Sequence, residues 1–278
     1  MFSLVAQMES LLKQGNRIKL SFEKTENLLP SGTLYFVAHV LLALEEHPSR
    51  LTCDYPKDDV VEQLFQHIGF LSHMGLTPRK KISADSVIHW HFVTGHDTDT
   101  SPFHELLTNL QQTFSAPIRM GLYDSMAEAV TNCIQHAYEA VARRATMRRW
   151  WMFAERRDNK LRVAICDFGI GIAQSLRQKP VWKDIIRRRA MGTRRHDRML
   201  LAAAVGSRRS RTMLDHRGKG LPEMLEFVRS SNIGGFLVYS NHGAFSYSAH
   251  DGIERRVYCE QPFNGTLIQW ELQIDDGN

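Results

Sequence analysis

Apolar positions along this chain follow two regimes, and the change between them comes near residue 100. Before it, strand-like and helix-like patterns alternate. RIKLSF (17–22) has the alternation of a half-buried strand. LPSGTLYFVAHVLLALEEH (29–47) carries an apolar helical run, with Ser31 or Thr33 near its start. SRLTCDYP (49–56) is strand-like and stopped by a proline, and KDDVVEQLFQHIGFLSHMG (57–75) is a helix opened by acidic residues. This β-α-β-α order predicts a small α/β unit over 1–100. A strand-like SVIHWHFV (86–93) leads into polar TGHDTDTSP (94–102), the expected linker.

The remainder, 101–278, reads differently. MGLYDSMAEAVTNCIQHAYEAVARRA (120–145) has the period of one long amphipathic helix. RRWWMFAERRDNKLRVAICD (148–167) is two strands joined by the turn pair Asp158-Asn159. Residues 173–217 are rich in Arg and short of strand signal, and GKGLPEMLEFVRS (218–230) starts a helix from glycines. GGFLVYSN, AFSYSAHD, RRVYCEQ and TLIQWELQI supply three or four closing strands. Helix, hairpin, helix and meander predict an α+β fold, a mixed α+β layer and not an alternating parallel sheet, preceded by the small α/β domain.

Composition fixes the class. A chain of 278 residues with 43% hydrophobic and 23% charged residues has the balance of a globular protein. VAHVLLAL (37–44) falls short of the roughly 20 apolar residues of a membrane span. The start, MFSLVAQMESLLKQGNR, has no basic segment followed by an apolar core, which predicts no secretory signal. Cys53, Cys133, Cys166 and Cys259 form no CxxC pair, so a reduced, cytoplasmic setting is expected and a zinc site is not. The net charge of +5 is bunched in ARRATMRR (142–149), KDIIRRRAMGTRRHDR (183–198) and SRRSR (207–211). Such runs form a solvated surface or contact a triphosphate, an acidic partner or nucleic acid; without interleaved aromatics, single-strand binding is the weakest of these.

Chemistry concentrates around VAICDFGIGI (163–172). A Rossmann fingerprint needs a third glycine where Gln174 stands, and a protein kinase needs an upstream strand lysine and an H-R-D loop that are missing here. A third reading looks upstream to EAVTNCIQHAY. Glu128, Asn132 and His136 stand at i, i+4 and i+8, drifting by about 40° per step, and share one helix face. An amide oxygen suits a hard cation that keeps its waters, and a carboxylate can deprotonate a hydroxyl or water. The plainer alternative is a solvent-facing polar stripe. Downstream, HRGKGLPEM opens a helix from Gly218 and Gly220, where backbone amides and Lys219 favour an anion. NGTLIQWEL then places a Gly-Thr at the last strand.

Polar helix, Asp-x-Gly-x-Gly, Gly-x-Gly-Leu and Gly-Thr, in that order, resemble the GHKL (Bergerat-fold) ATPases, which include gyrase-type topoisomerases, heat-shock chaperones and histidine kinases. The resemblance covers roughly 120–274 and implies a two-layer α/β sandwich with a mixed sheet. It implies ATP and Mg2+ as ligands, with Glu128 as general base, Asn132 as magnesium ligand and Asp167 as the carboxylate that accepts the adenine amino hydrogen. Gly169 and Gly171 would shape the adenine pocket, Gly218, Lys219, Gly220 and Leu221 the phosphate-side loop, and Thr266 would back the adenine. His136 falls where the family varies; a phosphate contact and a structural histidine both fit it. The lid implied at about 173–217 is long and basic, and a transducer domain of the gyrase kind is not expected after the sheet. The N-terminal third is similar, in pattern and domain order, to the STAS-like domains found beside such ATPases in bacteria.

Three functions follow from the resemblance. One is an ATP-dependent switch with slow hydrolysis, and another a serine kinase of the anti-sigma-factor type acting on a STAS-like partner. The third is a histidine kinase using His104 in SPFHELLTNL, although His104 stands too close to Asn132 for a dimerisation hairpin. The partners left open are ATP, a STAS-like or acidic protein, a second copy as a homodimer, and nucleic acid. A metal at His89, His91 and His96 of HWHFVTGH is the alternative of a different class, set against alternating histidines on an exposed strand.

Overall fold

The computed structural model of the protein describes residues 2–138, 148–178, 193–206 and 220–274. The N-terminal part begins with α1 (Phe2–Lys13), β1 (Ile18–Leu20), α2 (Pro30–Glu46) and β2 (Leu51–Cys53), and β1 and β2 form a small parallel sheet. Proline at the first position of α2 fits a place where no N–H partner is needed, and neither Ser31 nor Thr33 caps the helix. The helix expected over 57–75 is two: α3 (Asp59–His67) and α4 (Phe70–His73). Asp58 Oδ1 accepts the Val61 N–H at 2.9 Å to start the first, and Gly69, at φ +76°, separates them.

A short helix, α5 (Asp85–Ile88), precedes β3 (Trp90–Gly95). The strand therefore starts later than its sequence pattern indicates and runs into the expected linker, since Thr94 and Gly95 are its last residues. It pairs antiparallel with β4 (Trp150–Arg157), in register Trp90 with Glu155. The division expected at residue 100 leaves this strand with the N-terminal part, yet it belongs to the sheet of the C-terminal part.

After α6 (Phe103–Asn109) and α7 (Ala116–His136), β4 and β5 (Lys160–Asp167) form the expected hairpin. Asp158 and Asn159 both take positive φ, at 54° and 53°, as a two-residue hairpin turn requires. The chain continues through α8 (Ile172–Gln178), α9 (Thr193–Gly206) and α10 (Gly220–Ser231). The closing strands are two long ones, β6 (Gly234–Ser248) and β7 (Glu254–Gln273), with a bulge between Ser240 and Gly243. Sheet order is β3-β4-β5-β7-β6, and every pairing is antiparallel, so the expected mixed sheet is replaced by an antiparallel one beside the small parallel pair.

Both faces of this sheet are covered. Strand β4 reads Trp150-Trp151-Met152-Phe153-Ala154, an unbroken apolar run in which every side chain is buried. Trp150, Met152, Val163, Ile165, Trp270 and Leu272 face a core shared with α7, α9 and α10. Trp151, Phe153, Ala164, Cys166 and Leu267 face the core built by α1 to α4. No helix among the described residues is long and apolar enough to cross a membrane.

Candidate functional site

The loop after β5 is fixed from three sides. Asp167 ends the strand opposite Thr266 of β7. Gly169 then passes so close to the C-terminal end of α7 that a Cβ would overlap the carbonyl of Ala137, and the next N–H, of Ile170, donates to that carbonyl at 2.8 Å. Gly171 takes φ +77° against Asn241, whose Nδ2 donates to the Ile170 carbonyl at 3.0 Å. Ser240 closes the third side: its Oγ accepts the Ile172 N–H at 2.8 Å and donates to the Gly265 carbonyl at 2.9 Å. It also lies 3.3 Å from Thr266 Oγ1. Gly265, at φ +111°, leaves no space for a Cβ beside the Asp167 carbonyl.

Asp167 is 3% exposed. Its Oδ1 accepts the Gly169 N–H at 2.8 Å, and its Oδ2 faces the Cys133 thiol at 3.6 Å. Burial pushes its pKa up from 3.8 to about 6, against the lowering effects of the Gly169 N–H, the Cys133 thiol and the Thr266 backbone. The carboxylate is thus desolvated and keeps acceptor capacity beyond these three donors.

Glu128, Asn132 and His136 lie on α7 and are all half-buried, which replaces the solvent-facing stripe. Asn132 Nδ2 donates to Glu128 Oε1 at 3.2 Å, which turns its Oδ1 away from that bond. Burial raises the Glu128 pKa, reduced by the Asn132 bond, with Glu223 raising it further and His136 lowering it. Gly220, the first residue of α10, sits where a Cβ would overlap the Glu128 carboxylate. A carboxylate at a helix N-terminus is favoured by the helix dipole, as is any other anion there. Helix α7 therefore meets α10 at Glu128 and the Asp167 loop at Cys133 and Ala137.

Of the residues singled out in the sequence, Glu128, Asn132, His136, Asp167, Gly169, Gly171, Gly220, Leu221 and Thr266 are described. Gly218 and Lys219, and most of the 173–217 segment, lie outside the described residues. Leu221 is half-buried against the α7 core. Ser240 escaped the reading of the sequence, and Cys133 entered it without a role at the site. The available signals are a cysteine directly after Asn132, on the buried side of the helix, and a serine in the apolar strand FLVYSN.

His104 is exposed, with its ring 6.5 Å from that of Tyr123. His89 precedes β3, so it shares no strand face with His91; it pairs with Asp85, while His96 Nδ1 meets the Arg148 carbonyl at 3.1 Å. No group of three His, Cys, Asp or Glu side chains among the described residues could hold a metal ion. No family model matches the chain, and no curated protein is similar to it at a significant level.

Proposed function

We propose that the protein binds Mg-ATP at the Asp167 loop and works as an ATP-dependent regulatory switch of the GHKL class, with slow hydrolysis. The observation that carries this reading is Asp167 itself: a carboxylate 3% exposed, bordered by glycines that bring backbone close, with no cationic side chain among the described residues bonded to it. Such a group recognises a neutral N–H donor, as the exocyclic amine of adenine is. The donor set also suits the metal. Asn132 offers an amide oxygen, and a single half-buried carboxylate stands one helical turn before it, a combination fit for a hard cation that keeps several waters.

Within this reading Glu128 holds and moves the proton. Its raised pKa makes it a better acceptor from an attacking water near neutral pH, and its bond from Asn132 fixes the orientation of the carboxyl group. Bound magnesium would supply charge neutralisation of the phosphates. The N-terminus of α10 would add its dipole at the same place.

Thermal unfolding with and without Mg-ATP tests the proposal. At nucleotide concentrations far above Kd the wild type gains several degrees, on the order of 2–4 kcal/mol. Asp167→Asn loses that gain, whereas Glu128→Ala keeps it and loses phosphate release from γ-labelled ATP. Wild-type protein unmoved by every adenine nucleotide defeats the reading. Label appearing on a STAS-like protein instead of free phosphate selects the serine-kinase alternative.

A further inference from the structure

A second concave site lies between α1, β1 and the start of α2. It has a volume of about 330 Å³, within the range of small-molecule sites. Its wall is mainly apolar: Met8 and Leu11 of α1, Leu20 of β1, Phe22 just after that strand, Phe36 of α2 and Phe65 of α3. The rings of Phe22 and Phe65 meet edge to face with centroids 4.9 Å apart, which gives the floor a fixed shape.

Five polar residues interrupt this wall, Gln7, Lys19, Ser21, Thr25 and Thr33, and two of them matter most. Thr33, in the first turn of α2, is 2% exposed, and its hydroxyl has no hydrogen-bond partner among the described residues. At the mouth stands Lys19, the one charged residue of the lining. Its side chain is 66% exposed, and its Nζ is 3.6 Å from Asp54 Oδ2, a long contact in solvent. Asp54 is engaged elsewhere, because its Oδ1 accepts the Phe22 N–H at 3.0 Å.

We propose that this cleft binds a small amphipathic monocarboxylate, with an aliphatic or aromatic body in the apolar cavity and its anionic group at Lys19. The concave shape and single cation favour a free molecule over a bilayer surface, which would require a broad basic face. The proposal is independent of the nucleotide reading.

Titration calorimetry of the full chain with decanoate, and with decylamine as the same body bearing the opposite charge, tests it. Decanoate should bind saturably at one per chain and at least about fivefold more tightly than decylamine. Leu28→Trp fills the cleft from its partly buried rim and should abolish saturable binding. Lys19→Glu alters an exposed side chain without touching the core, and should weaken decanoate about fivefold while strengthening decylamine. No saturable decanoate binding, equal affinity for the two amphiphiles, or binding unchanged in folded Leu28→Trp and Lys19→Glu proteins would each overturn the proposal.

Discussion

Asp167 and Phe168 are consecutive residues, yet they serve opposite faces of the same sheet. Asp167 turns toward α7, where it meets the Cys133 thiol. Phe168 turns the other way into an aromatic cluster, 4.9 Å from the Trp151 ring and 4.0 Å from His39 of α2. His39 in turn holds Glu9 of α1 at 2.9 Å. The face with Asp167 carries polar groups that can do chemistry; the face with Phe168 is nearly all packing. Because one peptide link joins them, a shift of α2 against the sheet is a shift of the candidate site. The N-terminal part is thus structurally part of the site's foundation, whatever separate origin its pattern suggests.

The most severe break of this pairing removes the whole second face. Deleting residues 1–88 strips the cover from Trp151, Phe153 and Phe263, all buried in the intact protein. The remainder should lose cooperative thermal unfolding and bind an apolar dye. A cooperative melt of the shortened chain would show that the two faces are energetically separate.

A milder break works on the site face alone. Gly169→Ala drives a methyl group into the Ala137 carbonyl, so the loop or the end of α7 must move. Overpacking of this kind costs about 1–3 kcal/mol, and the Mg-ATP gain in melting temperature should shrink with it. Ala at Gly252, where nothing crowds a Cβ, meets only the strain of φ +66° and should leave that gain intact.

Protonation separates stability from binding at one residue. The folded pKa of Asp167, about 6, lies above its ordinary 3.8, so the native state holds this proton more tightly than the unfolded chain. The associated stability is fully present below about pH 4 and is lost as pH rises through about 6, by up to roughly 3 kcal/mol. Asp167→Asn should therefore melt higher than wild type at pH 7 without nucleotide. Nucleotide affinity should run the other way in the wild type, weakening as pH falls through about 6, because only the carboxylate form accepts at both oxygens. A pH-independent affinity between 5 and 8 would remove Asp167 from the contact.

Ser240→Ala breaks the loop from its remaining side. It removes the acceptor for the Ile172 N–H and the donor to the Gly265 carbonyl, and should cost about 1–3 kcal/mol in denaturant unfolding.

How far the sequence anticipates this structure depends on how local each feature is. The β4–β5 hairpin is legible because its apolar runs and its Asp158-Asn159 turn are contiguous. The Glu128–Asn132–His136 face is legible because helix geometry alone aligns it. The pairing of β3 with β4 is not, since Trp90 to Val93 read as a strand whichever sheet receives them. The same holds for the continuous burial of β4, where two covered faces erase the alternation that would report a partner on each side. Ser240 and Cys133 are legible only after the loop is folded, because neither contact has a spacing rule.

The position of β7 governs how the protein comes into being. This strand lies between β5 and β6, so β5 lacks its second neighbour until β7 exists. Thr266, which faces Asp167 across the sheet, follows it by roughly a hundred residues. At about 5–20 residues per second, a growing chain carries an unpaired β5 edge and an unfinished Asp167 loop for on the order of 5–20 seconds. Throughout that interval the apolar strands β4 and β5 are made but uncovered on one edge, a condition that favours association between chains. The candidate site is therefore among the last parts of the protein to form, and ligand can reward folding only after synthesis of the closing strand.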